Sequence, residues 1–141
     1  MTDPNTPNTP NIYVTSTPVN TRQCQRMIWV TFDIAGFHAY VNAPKEVSYL
    51  RNLHRHLFKF KVGIQVKHDD REVEFHMFQS YVKGLFETEG GPLIVDNKSC
   101  EMLAQDIIDS VQEHYDCSSR ILEVTVSEDG ECGATLTSTP A

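Results

Sequence analysis

The chain has 141 residues, 40% of them hydrophobic, which suits a single packed domain. Nineteen Asp and Glu against twelve Lys and Arg give a formal net charge of -7, which disfavours a nucleic-acid backbone as partner. No apolar run approaches the ~20 residues that span a bilayer, no basic-then-apolar leader is evident, and Cys24, Cys100, Cys117 and Cys132 form no C-x-x-C pair. The expectation is a cytoplasmic protein with reduced thiols, no disulfide framework and no membrane partner.

Residues 1–24 read as a disordered or extended Pro/Asn/Thr tail, with Pro4, Pro7, Pro10 and Pro18 all inside it. Such a segment buries too little apolar surface to offset its ordering entropy. Residues 25–137 form the domain, and 138–141 are a second short tail. The first predicted strand covers 27–35, where Ile28, Val30, Phe32 and Ile34 share one face. A loop with Pro44 and a helix-like stretch over 45–52 follow. The second predicted strand covers 53–67, where Phe58, Phe60, Val62, Ile64 and Val66 alternate with polar residues. Lys59, Lys61 and Lys67 lie on its other face and read as solvated rather than phosphate-binding. Asp69-Asp70 marks a turn, and 72–75 continue extended.

A helix is predicted over 77–87 from the spacing of Met77, Phe78, Tyr81, Val82 and Leu85, and Gly90-Gly91-Pro92 closes that region. A second helix is predicted over 100–114, with Cys100, Leu103, Ala104, Ile107, Ile108 and Val111 as its apolar stripe and Asn97 or Ser99 as its cap. Strands over 121–126 and 132–136 end the domain. The order β-β-α-α-β-β predicts an α+β fold, an antiparallel sheet with two helices on one face.

His54 and His56 form an H-x-H pair at the head of the second predicted strand. Side chains two apart on a strand project to one face, so both imidazoles can reach one metal. His38 lies just past the first predicted strand, on the parity of its apolar face. Pairing of those strands brings the three together. Three neutral imidazoles with an open fourth position describe a catalytic-type zinc site. The expected cofactor is therefore Zn2+ on His38, His54 and His56. His68, His76 and His114 have no partner at ligand spacing and read as surface residues.

Five segments, in order, resemble the 6-pyruvoyl-tetrahydropterin synthase and 6-carboxytetrahydropterin synthase family. Phe32-x-Ile34-Ala35-Gly36-Phe37-His38 is similar to the family's F-x-A-A-H, and His54-Arg55-His56 to its H-G-H. Val73-Glu74-Phe75 with Phe78 resembles V-D-F-x-x-L, and Ser99-Cys100-Glu101-Met102-Leu103-Ala104 resembles P-T-x-E-x-L-A. Val124-Thr125-Val126-Ser127-Glu128, then Gly133-Ala134, resembles V-x-V-x-E-T…G-A. The resemblance implies a T-fold, zinc on the same three histidines, and a homo-oligomeric ring with sites at subunit interfaces. It implies a small-molecule pterin or purine-like ligand, since family members act on dihydroneopterin triphosphate and feed pterin or 7-deazaguanine synthesis. It also implies that Glu128 anchors that ligand, because an ionised carboxylate accepts two adjacent N–H donors at once. By itself, Glu128 reads as an exposed turn carboxylate beside Asp129 and Glu131.

The departures bear on chemistry. Leu50 stands where the family carries its catalytic cysteine, and leucine neither relays protons nor attacks carbon. Leu85-Phe86-Glu87 stands where the family carries an Asp-His pair, and Arg55 replaces the central glycine of H-G-H. Catalytic residues are thus left unassigned, with Glu87, Asp96 and His76 as candidate substitutes. Cys132, near Glu128 in sequence, could approach the same pocket but reads rather as a buried, inert thiol. Two functions stay open: a zinc-dependent, lyase-like protein acting on a pterin, or a non-catalytic T-fold that binds a pterin or purine nucleotide or serves as a structural oligomer.

Overall fold

The computed structural model describes residues 22–87 and 92–141. Most of the expected N-terminal tail, and Gly90-Gly91 of the expected helix stop, lie outside the described residues. The described elements are β1 (Arg26–His38), a 3-10 segment (Lys45–Arg51), β2 (His54–Val66), α1 (Phe75–Gly84), β3 (Leu93–Asp96), α2 (Cys100–His114), β4 (Leu122–Glu128) and β5 (Cys132–Ser138).

The five strands lie in the order β3-β1-β2-β4-β5. β1–β2, β2–β4 and β4–β5 pair antiparallel, whereas β3 pairs parallel to β1. The sheet is therefore mixed, which corrects the expected antiparallel one. The four residues of β3 are too few to show a period, so the run reads as loop in the sequence. Gly36 lets β3 approach. A Cβ there would stand 3.1 Å from the Leu93 carbonyl oxygen and 3.2 Å from the Phe58 ring.

The alternation of β2 puts Phe58, Phe60, Val62 and Ile64 under the helices, none more than 2% exposed. Leu103, Ala104, Ile107, Ile108 and Val111 of α2 cover them, with Phe78 and Val82 of α1 beside them. Each such side chain contributes about 1.5–3 kcal/mol on full burial. Ser99 caps α2, its hydroxyl accepting from the Met102 N–H at 3.2 Å.

α1 begins earlier than its periodicity suggests, because the Glu74 carboxylate accepts from the Met77 N–H at 2.7 Å and ends the extended stretch before Phe75. Its apolar face is also narrower. Met77 is 72% exposed because it lies one position, about 100°, around from Phe78. On the opposite face of the sheet, Trp29 is 56% exposed, with Lys61 Nζ 4.6 Å from its ring centroid. Among the described residues, no helix is long and apolar enough to cross a membrane.

Candidate metal centre and its pocket

The β1–β2 ladder ends on the pair His38↔His54. His54 and His56 continue the core-facing parity of Phe58 and Phe60, so the apolar stripe of β2 turns into imidazoles at its first turn of chain. One ring nitrogen from each of His38, His54 and His56 lies within 4.8 Å of the others. The ring centroids are 4.5 Å apart for His38–His54, 5.1 Å for His38–His56 and 4.8 Å for His54–His56, all edge-on.

Each ring uses one nitrogen on a protein acceptor. His54 Nδ1 is 2.7 Å from the Asn52 carbonyl oxygen, and His56 Nδ1 is 2.7 Å from Asp129 Oδ2. His38 Nε2 is 2.8 Å from Glu128 Oε1, and Glu128 Oε2 is 3.5 Å from His56 Nε2. The remaining nitrogens, His38 Nδ1, His54 Nε2 and His56 Nε2, are buried and have no hydrogen-bond partner. Leaving one buried polar atom unsatisfied costs about 1–3 kcal/mol. Three such atoms in one cluster, all imidazole nitrogens, fit a zinc ion. Burial is the main cause holding His38 below its ordinary pKa; His54 and His56 add to it and Glu128 opposes it. The ring is thus kept neutral, the form that ligates.

Beside the histidines lies a cavity of about 460 Å³, lined by His38, Tyr40, Cys100, Met102, Glu128 and Cys132 among others. Glu128 is half-buried at the last position of β4, directly against the histidines, and is no free turn carboxylate. Cys132 pairs with Glu128 across the hairpin and is exposed to the cavity, which corrects the expected buried thiol. The reason is its position at the open end of β5, which the helices do not cover. Cys100 is the buried one, its thiol pushed up to about 12 chiefly by burial and next by Glu128.

Leu50 does not line the cavity. Its carbonyl accepts from the Tyr40 N–H at 2.8 Å, so the position contributes a backbone acceptor under a lining residue. Glu87, Asp96 and His76 are exposed, and none lines the cavity. His68 faces Glu72 at 3.7 Å, and His114 stacks on Tyr81 at 3.9 Å, both apart from the cluster. Asp129, whose carboxylate contacts His56, is the residue of this cluster that sequence reasoning passed over. Reading Glu128 as a turn carboxylate beside Asp129 marked the place, but not that the Asp129 carboxylate folds back onto His56.

The architecture is that of the T-fold class of α+β proteins. Among solved structures it is similar to 6-pyruvoyl tetrahydropterin synthase from Plasmodium vivax, with a TM-score of 0.51 and 15% identity, over 83% of this chain and 99% of that one. At that identity the likeness shows the fold alone. No protein-family model and no curated protein matches the sequence.

Proposed function

We propose that this protein holds zinc on His38, His54 and His56 and binds a pterin or related purine-derived ligand in the adjoining cavity. The observation that carries the reading is the set of three buried, unpartnered imidazole nitrogens in a cluster whose His38 lines a cavity together with Glu128. Zinc, when bound, supplies Lewis-acid polarisation of a ligand oxygen. Glu128 recognises the heterocycle by accepting its N–H donors. Binding without turnover is favoured, because Leu50 offers no proton and none of the candidate substitutes lines the cavity. The family resemblance in the sequence implies a homo-oligomer with sites at subunit interfaces.

Two measurements test this. Elemental analysis should find about one zinc per chain, lost in His54→Ala and His56→Ala and kept in His68→Ala. Calorimetric titration with a panel of pterins and purines should find binding that Glu128→Gln weakens at least about tenfold, or ~1.4 kcal/mol, because an N–H donor then faces an N–H. Equal binding by the Gln variant removes Glu128 from the site.

The exposed Cys132 thiol in the same cavity supports a second reading, a lyase-type activity with a relocated thiol. Incubation with dihydroneopterin triphosphate decides between them. We expect no 6-pyruvoyl- or 6-carboxytetrahydropterin. Product that disappears in Cys132→Ser would establish the enzyme.

A further inference from the structure

The β2–β4 ladder has its last backbone pair at Phe58↔Glu128, yet bonding continues one residue further. The Asp129 N–H donates to the Leu57 carbonyl at 2.8 Å, and the Leu57 N–H donates to Asp129 Oδ1, also at 2.8 Å. Asp129 thus substitutes a side-chain oxygen for a backbone one. Its other oxygen, Oδ2, is left pointing at His56 Nδ1, 2.7 Å away. The turn makes this possible. Asp129 (φ 59) and Gly130 (φ 72) are both left-handed, and the Glu131 N–H closes on the Glu128 carbonyl at 3.0 Å. Asp tolerates that conformation better than most residues with a Cβ.

From this geometry we infer that Asp129 is a positioning residue, which fixes the ring orientation and tautomer of His56 so that Nε2 faces the cluster with its lone pair free. The inference rests on the metal reading above. An ionised carboxylate only accepts, so the bond to Asp129 requires a proton on His56 Nδ1 and leaves Nε2, 3.5 Å from Glu128 Oε2, as the nitrogen a metal would take. Nε2 is the His56 nitrogen that is buried without a partner. His54 reaches the same state by another route, since the Asn52 carbonyl is also an acceptor only. The carboxylate differs in carrying charge, so its bond to the His56 ring is charge-assisted. It also ties the β4–β5 turn to the histidine cluster, through a residue that does not line the cavity.

Asp129→Asn isolates this role. Asn tolerates the left-handed turn, and its carbonyl still accepts from Leu57 N–H. Its NH₂ group then faces His56 Nδ1, which must accept, so the ring proton moves to Nε2. Flipping the amide would set NH₂ against the Leu57 N–H instead. Zn2+ affinity, measured by competition with a chromophoric chelator, should fall 10–100-fold in the variant. Nitrogen NMR of the metal-free protein should show His56 protonated on Nδ1 in the wild type and on Nε2 in the variant. His54, held by backbone, should not change and serves as the internal control. Wild-type affinity in Asp129→Asn, or a wild-type His56 protonated on Nε2, overturns the inference. A wild type that takes no zinc but shows the stated tautomers overturns the metal reading alone, and supports the assignment to Asp129.

Discussion

The two ends of the β1–β2 pair treat polar groups in opposite ways. At the Arg26↔Val66 end, Glu72 accepts from the Lys67 N–H at 2.9 Å and is ion-paired with Arg120. Arg120 Nη1 donates to the Gln65 carbonyl at 2.9 Å, and Gln65 Oε1 accepts from the Ile121 N–H at 2.9 Å. That cluster is satisfied within the chain and clamps the exit of β2 to the start of β4. At the His38↔His54 end, one nitrogen of each histidine finds a protein acceptor, while the other three are buried and have no hydrogen-bond partner. A cluster that closes on itself serves the fold. One that leaves buried imidazole nitrogens without a hydrogen bond is what the proposed zinc would compensate.

The strongest test of this contrast is the stability gained with metal. Zinc at a thousandfold excess over its dissociation constant should raise the unfolding free energy by about 4 kcal/mol, through mass action on the folded state. Denaturant titration with zinc and with chelator measures it. His56→Ala should lose the response, and an undiminished response there would remove the histidine cluster from zinc binding.

A smaller effect is expected at the closed end. Arg120→Ala should lower the denaturation midpoint while leaving the zinc response intact, and a lost response would show that the two ends are coupled. The closed end should also be acid-sensitive. The Lys67 N–H first, and Arg120 next, hold the Glu72 carboxyl below its ordinary value of 4.5. A carboxyl depressed by folding stabilises above its unfolded value and loses that contribution as pH falls through its folded one. Stability should therefore drop below about pH 4.5, and Glu72→Gln should flatten that drop.

The smallest effect is chemical rather than thermodynamic. At about pH 8, alkylation should reach Cys24 and Cys132, which are exposed, and spare Cys100 and Cys117, which are buried. With its thiol pushed from 9.0 to about 12, Cys100 holds about a thousandfold less thiolate than an ordinary cysteine. Mass mapping of the labelled peptides checks it. Prompt labelling of Cys100 in folded protein would mean that the cavity floor opens.

Periodicity carried much of this into the sequence. The bounds of α2 were readable at both ends, because its stripe is six residues deep and Ser99 supplies a cap. The convergence of His38, His54 and His56 followed from parity on two strands once they pair, as they do. What stayed hidden was set by contacts distant in sequence. β3 is defined only by its pairing with β1, and no local pattern in Leu93-Ile94-Val95-Asp96 announces a parallel edge. Asp129 meets His56 across 73 residues of chain, a contact that the turn chemistry around Gly130 does not encode. The exposure of Cys132 depends on where the helices stop, and that is a property of packing.

The chain has a single tryptophan, Trp29, and its place on the face of the sheet opposite the described helices decides what light can report. An indole already in contact with water emits at long wavelength in the folded state, so unfolding shifts its spectrum little and acrylamide quenches it readily. Occupation of the histidine end, beneath the opposite face, leaves it nearly silent. Its emission is instead a gauge of company: if a second copy covers that face, the spectrum moves to shorter wavelength as concentration rises, with no label attached.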